Sequence, residues 1–279
     1  MSAPPAIPSI NVLTVSIVLC HSPLAQLRAL IDSLIDALSG TAISNVQCVM
    51  VDHSLDPRYV HECRAVLAEY AACEQIEFEL LVPRKNSGYG AGHNLAMASL
   101  SGRFHLILNP DVMLSRRAIS VALETMSVHN ECVLLGPVGS GSDGSSLHLA
   151  KAFPSMWTLA LRAFAPPCLR RRSRAVARYE LRDQPTEIVR RGPLVSGCCM
   201  WVRRDVFDEV GGFDDGYFLY FEDFDLSMRM ARHGTVIEHR GVTIIHHGGK
   251  ASRKGWRHLL WFSVSATRFF NRWGWKWLG

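Results

Sequence analysis

Three features that would identify other classes of protein are missing from this chain of 279 residues. None of its eight cysteines forms a C-x-x-C pair, so the sequence indicates neither a zinc ribbon nor a disulfide framework and favours a reducing compartment. No apolar run approaches the roughly 18–20 residues that a membrane-spanning helix needs. The apolar run at residues 12–20 lacks the positive n-region of a signal peptide, because the first cation is Arg28. The chain is therefore expected to be cytoplasmic.

The composition is that of a globular protein, with 48% hydrophobic and 20% charged residues and a formal net charge of +5. Part of the positive charge is concentrated in one stretch, which contains Arg162, Arg170, Arg171, Arg172, Arg174, Arg178 and Arg182. An arginine cluster can bind nucleic acid, but no RNA-binding motif accompanies it, and acidic groups in the expected cleft would repel phosphate. No nucleic-acid partner is expected.

Strands and helices alternate through the first 130 residues, which predicts a doubly wound parallel sheet. The predicted strands cover residues 15–20, 46–51, 76–82 and 104–108, and the predicted helices cover 24–38, 57–72, a short segment ending at 100, and 115–127. Ligands of such sheets bind beyond the carboxyl ends of the strands. Four polar residues follow those ends and are expected to share one crevice: His21, Asp52, Asn86 and Asp111.

The second half of the chain is less regular. We expect a loop at 136–146, an Arg/Pro-rich connection at 162–185, a strand at 194–203, short strands at 236–238 and 242–246, and a terminal helix at 255–272. One domain is predicted over residues 1–252, with a nucleotide-binding half at 12–130 and an acceptor or catalytic half at 131–252. Residues 253–279 form an aromatic, basic tail.

The segment 213–233 contains five carboxylates, and the last three of them open a predicted helix: Asp214, Asp215, Glu222, Asp223 and Asp225. The partial positive charge at a helix N-terminus stabilises anions, so these groups are expected to be ionised and to face outward. An ionised carboxylate of this kind suits a general base that takes a proton from a substrate hydroxyl. The alternative is an ordinary acidic helix start.

Two turns after predicted strands have the chemistry of ligand sites. Asp111, in the sequence Asn109-Pro110-Asp111, suits a hard divalent cation, although the tripeptide is also good turn chemistry. The Gly-rich segment 86–94 is neither a P-loop nor a dinucleotide fingerprint, but its backbone amides could face a phosphate or ribose. The alternative for this segment is a tight strand-to-helix turn.

Two features near the C-terminus leave similar alternatives open. His246, in His246-His247-Gly248-Gly249, could complete a metal site with Asp111 or could pack in the core. The terminal helix combines tryptophans with a basic row, which suits an anionic membrane surface, or it could pack its apolar stripe on its own domain.

Taken in order, eight segments resemble the family-two inverting glycosyltransferases, particularly the bacterial rhamnosyltransferase branch. The matching segments are 15–22, 49–52, 86–94, 108–112, 195–202, 210–214, 218–225 and 246–252. The resemblance implies an α/β fold with a single Rossmann-like, GT-A type domain that binds a nucleotide sugar, with a mixed sheet and a C-terminal amphipathic helix. It also implies a nucleotide-diphosphate sugar donor, a divalent metal (Mg²⁺ or Mn²⁺) and inversion in one displacement.

The resemblance also implies roles for individual residues. Asp111 and His246 would be metal ligands, and Asp223 would be the catalytic base. Asp52 would bind the nucleobase, and the other residues implied to bind nucleotide or substrate are His21, Asn86, Gly88, Asn94, Asn109, Gly197 and Glu222. Three positions depart from the usual pattern, since Asn109 replaces the first Asp, His53 replaces an Asn, and Cys20-His21 replaces Tyr-Asn.

The implied reaction moves a sugar to a hydroxyl of a cell-envelope acceptor, either a saccharide or a lipid-linked saccharide such as a lipopolysaccharide core. The pattern Leu-Asn-Pro-Asp at 108–111 favours L-rhamnose from dTDP-rhamnose. With such an acceptor, the enzyme would lie peripherally on the inner face of the cytoplasmic membrane. Two rivals remain: a sugar-nucleotide nucleotidyltransferase, which would normally place a Gly-rich basic loop after the first strand, and a catalytically silent subunit of the same fold.

Overall fold

A computed structural model describes residues 12–184, 187–192, 194–248 and 255–278. Its first half contains four parallel strands in the order β3-β2-β1-β4, as the alternating pattern predicts. The strands are β1 (Val12–Leu19), β2 (Asn45–Asp52), β3 (Ile76–Leu81) and β4 (Phe104–Leu108), and the helices between and after them are α1 (Leu24–Leu38), α2 (Pro57–Glu69), α3 (Tyr89–Met97) and α4 (Ala118–Val128).

The second half extends this sheet with strands of both directions. The order continues β4-β11-β6-β12-β5, where β11 (Cys199–Arg203) is antiparallel to β4 and to β6 (Cys132–Ser140). β12 (Thr235–His246) is parallel to β6 and antiparallel to β5 (Val112–Leu114). Four short strands complete the set: β7 (Ser146–Leu147) beside β6, β9 (Val189–Arg191) beside β12, and the separate pair β8 (Ala150–Lys151) and β10 (Leu194–Val195). The predicted mixed sheet is confirmed.

Helices cover both faces of the sheet. The second half contributes α5 (Met156–Phe164), α6 (Pro167–Arg172), α7 (Arg174–Tyr179), α8 (Arg204–Glu209), α9 (Glu222–Met230) and α10 (Trp256–Trp273). One core cluster joins α1, α2 and α4 to the sheet, and another joins the opposite face to α8 and α9. Every residue of β4 is buried, and so is every residue of β1 after Val12, as expected for strands covered on both faces.

The structure corrects three predictions in the second half. The expected loop at 136–146 begins as the central strand β6, because Gly136 and Gly139 permit close packing: a Cβ at Gly136 would come within 2.5 Å of Val195 Cγ1. The connection at 162–185 contains the end of α5 together with α6 and α7. The two short strands at 236–246 are parts of β12, which has an irregularity between His239 and Thr243.

The terminal helix α10 packs one face on the domain. This face is buried in a cluster with Tyr217 and Phe221, and it consists of Ala266, Phe269 and Phe270. Of the two alternatives for the tail, packing on its own domain therefore applies to this face. Within the described ranges, no helix is both long and apolar enough to cross a bilayer. The domain boundary proposed at residue 252 lies outside the described residues.

Candidate active site

The turn between β10 and β11, residues 196–198, joins two of the predicted functional segments. The predicted strand 194–203 is interrupted here. Backbone groups of the turn therefore form hydrogen bonds with other segments of the chain. Asn109 N–H donates to the Cys198 carbonyl (2.9 Å), and Gly197 N–H donates to Asp223 Oδ2 (2.8 Å). The segment carrying Asp111 and the helix carrying Asp223 therefore border one turn, at the carboxyl end of β4.

Asp223 is held in place by several contacts at the start of α9. Its Oδ1 accepts from Phe224 N–H (2.9 Å), and its backbone carbonyl accepts from the Ser227 hydroxyl (2.8 Å). The two residues before the helix, Tyr220 and Phe221, have φ values of 72° and 63°, a left-handed conformation that costs energy for non-glycine residues. This strained entry sets the direction in which the first carboxylates of α9 project.

The two neighbouring acids of α9 differ in environment. Burial raises the pKa of Asp223 to about 6, although the Gly197 and Phe224 amides favour its anion. Glu222 is 4% exposed, and burial together with the charge of Asp223 raises its pKa well above the usual range. The expectation that these groups face outward is therefore wrong for Glu222 and for Asp225, which is fully buried, and for Glu222 desolvation opposes the ionisation that the helix charge favours.

The raised pKa of Asp223 predicts a pH profile for any reaction that uses it as a base. A base must be ionised, so we expect kcat to be constant above a pKa of about 6 and to fall about tenfold per pH unit below it. Among the other titratable groups around this position, Tyr89 and Cys198 have pKa values raised further above neutrality by burial, and burial also raises the pKa of Glu222 above its usual range. Steady-state rates at saturating substrate measure this, and a fall that begins only near pH 4 would contradict the burial effect.

Asp111 and His246 lie together at the other side of the turn. His246 Nε2 is 3.2 Å from Asp111 Oδ1, and His247 N–H donates to the Asp111 carbonyl (2.9 Å). β12 and β5 are paired at His246 and Val112, which brings the two predicted ligands to the same place in the fold. Gly248 is needed here, since a Cβ at this position would overlap Asp111 Oδ2.

The Asp111–His246 pair fits a divalent cation held partly by substrate. A carboxylate oxygen and an imidazole nitrogen are ligands of Mn²⁺ and related cations, and Mg²⁺ is often bound by one or two carboxylates together with phosphate oxygens. The described residues contain no group of three His, Cys, Asp or Glu side chains that could hold an ion by themselves. Phosphate oxygens of a bound diphosphate are ligands of the kind that could complete such a site.

The predicted nucleotide-binding residues lie beyond β1, β2 and β3. Asp52 is fully buried, and its two oxygens accept from the backbone N–H (3.1 Å) and hydroxyl (2.6 Å) of Ser54. Asn86 donates to the His53 carbonyl (3.3 Å) and accepts from Gly88 N–H (2.9 Å). The loop 86–88 is thus fixed beside the end of β2, as the crevice prediction requires.

Gly88 connects this loop to the acidic segment. Its φ is +99°, and a Cβ would overlap the Phe218 carbonyl, which accepts from Tyr89 N–H (3.0 Å). Only glycine satisfies both requirements. The predicted importance of Gly88 therefore has a structural basis, because it allows the segment before α9 to lie against the nucleotide loop.

Two of the predicted residues have other surroundings. Both amide hydrogens of Asn94 are used within the protein, with donation to the Phe213 carbonyl (2.8 Å) and to Asp215 Oδ1 (3.0 Å). Asn94 thus holds the start of the acidic segment 213–233, ahead of α9. His21 is exposed, has a φ of 52° and packs against the Tyr59 ring. The nucleotide roles of both residues remain predictions.

Two residues that support the turn were not predicted from the sequence. The Tyr89 hydroxyl donates to the Gly197 carbonyl (2.5 Å), and the Ser227 hydroxyl accepts from Val195 N–H (3.1 Å). Together with Asp223 they bind both sides of the turn. Ser227 lies four residues after Asp223 on the same helix face, which was a detectable signal, whereas the contact of Tyr89 spans 108 residues and left none.

Comparison with known proteins identifies a family for most of the chain. The model of the family described as "Glycosyl transferase family 2" matches residues 15–211. Two curated proteins, from two strains of Mycobacterium tuberculosis, are named N-acetylglucosaminyl-diphospho-decaprenol L-rhamnosyltransferase and are each 31% identical over 180 residues. The alignment covers 60% of this chain and 58% of each relative, so the chain spans less than two thirds of the relatives that it matches.

Solved structures share the fold at low sequence identity. GalNAc-T7 with UDP, GalNAc and Mn²⁺ has a TM-score of 0.66 at 14% identity, with 95% of this chain and 48% of that chain covered. A mannosyltransferase from Pyrobaculum calidifontis in complex with GDP-Man and Mn²⁺ has a TM-score of 0.61 at 14% identity, with 92% and 64% covered. At such identities the likeness concerns the fold alone, and the expected GT-A type fold is confirmed.

Proposed function

Because this chain belongs to glycosyl transferase family 2, we propose that it transfers a sugar from a nucleotide-diphosphate donor to a hydroxyl group, with Asp223 as the general base. The observation that carries the proposal is the turn 196–198. It binds the carboxylate of Asp223 on one side and the segment of Asp111 on the other, at the carboxyl end of a parallel sheet. One substrate could therefore contact both carboxylates.

The two acids would have different tasks. A divalent cation held by Asp111 and His246 would neutralise the departing diphosphate. Asp223 would accept the proton of the acceptor hydroxyl as that oxygen attacks the anomeric carbon from the opposite face, which inverts its configuration. Burial supports this role, because a base with a pKa of about 6 is ionised at neutral pH and yet more basic than a solvated aspartate.

Glu222 would contribute in its protonated form. Its Oε2 is buried and has no hydrogen-bond partner among the described residues. A neutral carboxyl at this position can donate a hydrogen bond to substrate without adding a second negative charge beside Asp223. The unpartnered oxygen supports the predicted role of Glu222 in substrate binding.

The favoured donor is dTDP-rhamnose. The Leu-Asn-Pro-Asp pattern supports this, as does the name of the curated relatives, which describes an L-rhamnosyltransferase. Asn109 Oδ1 is buried without a partner among the described residues, so it can accept a hydrogen bond from a ribose or sugar hydroxyl. Asp52 and the 86–88 loop would bind the base and nucleoside.

A thermal-shift panel tests the proposal. The protein is heated with UDP, GDP, ADP, CDP and dTDP, each with Mn²⁺, Mg²⁺ or EDTA. A ligand that binds only the folded state raises the melting temperature. We expect selective stabilisation by dTDP that depends on the cation. Equal melting temperatures throughout would contradict nucleotide binding, and stabilisation by a different base would contradict the dTDP assignment.

The exposed face of α10 suits an anionic membrane surface on which a lipid-linked acceptor would lie. Trp256, Leu260 and Val264 recur every four residues and are 72%, 52% and 57% exposed, outside the packed stripe at 266, 269 and 270. The arginine cluster of α6 and α7 supplies positive charge, and Phe164 before it is 83% exposed. Apolar side chains beside cations are typical of interfacial helices.

Replacing Trp256, Leu260 and Val264 together with serine is expected to weaken binding to vesicles of phosphatidylglycerol by tenfold or more. The reason is that burying one large apolar side chain contributes about 1.5–3 kcal/mol. Vesicle sedimentation measures the effect, with Val128→Ser as control because Val128 is also exposed (63%) but lies on α4. Equal sedimentation of the triple variant and the wild type would contradict the membrane role.

A further inference from the structure

A cationic cluster beside the active-site turn has no role in the chemistry described above. Lys151 and Arg162 lie over the Tyr179 ring, and Arg182 completes the cluster through Glu180, the acid that both arginines share. We propose that this cluster binds a phosphate or diphosphate ester carried by the acceptor. The inference rests on the proposed glycosyl transfer, since it assigns a place to the second substrate of that reaction.

Lys151 is the main reason to expect an anion. It is 8% exposed, and its Nζ lies 5.3 Å from the centre of the Tyr179 ring. Across the described residues, its ammonium group makes no hydrogen bond or ion pair. Burying a cation in this way is costly unless a counter-charge is present. Burial and the charge of Arg162 together lower the pKa of Lys151 to about 7, as expected when its ammonium group lacks a partner.

The acids near Lys151 are already used by arginines. Arg162 Nε is 3.5 Å from Glu180 Oε1, and Arg182 Nε is 3.0 Å from Glu180 Oε2. The next carboxylate, Glu238, is paired with Arg190 at 2.8 Å. Glu180 thus serves both arginines, and an oxyanion bound here would favour the charged form of Lys151 and balance its charge.

The topology places this surplus next to the catalytic base. In the pair β8–β10, Lys151 faces Leu194, and three residues later the chain reaches Gly197, which binds Asp223. The cluster is therefore on the order of 10 Å from the base, the span of one sugar with an attached phosphate. The charge of Asp223 adds to the effect of burial in raising the pKa of Tyr179, as a carboxylate near this ring would.

The chemistry of the cluster favours phosphate over carboxylate. Guanidinium N–H donors together with the point charge of a lysine form a donor set that typically binds phosphoryl oxygens, although Arg182 already donates from Nε to Glu180 and from Nη1 to the Arg171 carbonyl. The donor's own diphosphate has a separate place at Asp111 and His246. The name of the curated relatives includes a diphospho-linked lipid, so an acceptor of this class is chemically consistent with the family.

The test is calorimetric titration with geranyl diphosphate, a short lipid diphosphate, in EDTA so that the cation site cannot contribute. We expect Lys151→Met and Arg162→Gln each to weaken binding at least tenfold. The matched control is Arg28→Gln, because Arg28 has a similar side-chain exposure (40% against 39% for Arg162) and also pairs with one glutamate. Methionine preserves the volume of Lys151, and Arg162 is partly exposed, so at least one variant should fold.

Inorganic pyrophosphate is titrated in parallel to separate an acceptor ester from a free anion. Tighter binding of geranyl diphosphate supports the acceptor assignment, whereas equal or tighter binding of pyrophosphate would overturn it. Absence of geranyl diphosphate binding, or unchanged affinity in both variants, would also overturn it. The nucleotide thermal shift with Mn²⁺ is measured on the same variants and should be unchanged, so loss of the acceptor site and failure of the glycosyl-transfer proposal give different results.

Discussion

Replacing Asp223 with asparagine should reduce turnover at least about a hundredfold, because a positioned base typically contributes about 10²–10⁴-fold. The amide cannot take a proton from the acceptor hydroxyl. It can keep the hydrogen bond from Gly197 N–H through its oxygen, so the turn should retain its shape. Nucleotide binding, which we propose depends on Asp52 and the 86–88 loop, should be unchanged. Single-turnover rates of sugar transfer and the nucleotide thermal shift measure the two properties.

The matched control for this variant is Asp215→Asn. Asp215 belongs to the same acidic segment, is exposed, and bonds only to Asn94 among the described residues, so its neutralisation should change turnover little. The Asp223 variant should also lose the rise in kcat near pH 6, because the group that titrates there has been removed. Near-normal turnover in Asp223→Asn would exclude Asp223 as the base.

Replacing Asp111 with alanine should weaken cation-dependent binding of the donor by about 10–100-fold or more, since even outer-shell changes around a metal cost that much. His246 alone would remain from the pair. Binding of the nucleotide in EDTA should change little, because Asp52 and the 86–88 loop are separate from this corner. Titration calorimetry with the nucleotide diphosphate, with and without Mn²⁺, measures the difference.

The control for this second variant is His247→Ala. His247 is adjacent to the proposed ligand, but its ring lies 3.2 Å from Met113 Sδ and is not directed at Asp111 Oδ1. Its removal should therefore preserve the effect of Mn²⁺. An Asp111→Ala protein with the same cation dependence as the wild type would show that the metal is bound elsewhere.

The first half of the fold could be predicted because its signals are local. Each strand from β1 to β4 is a short apolar run that ends at a turn residue, and parallel strands must deliver those turns to one edge of the sheet. Asp52, Asn86 and Asp111 were placed correctly at strand ends by this reasoning alone. Glycine misled the prediction for β6, because a glycine needed for close packing looks the same in sequence as one in a loop.

The ionisation of the site could not be predicted, because it depends on what packs over it. The position of Glu222 at a helix start indicated an anion, but its side chain is only 4% exposed and burial raises its pKa. Lys151 was also inconspicuous, since a single lysine is normally exposed. Lys151 joins the cationic cluster only in the folded chain, where its strand pairs with β10 and its side chain lies over the Tyr179 ring.

One measurement tests the proposed arrangement most directly: the anomalous diffraction of Mn²⁺ in crystals grown with the nucleotide diphosphate. We expect one strong peak within coordination distance of Asp111 and His246, with the diphosphate between that peak and the Asp223 carboxylate. A manganese ion and nucleotide bound away from the 196–198 turn would contradict the assignment of both acids.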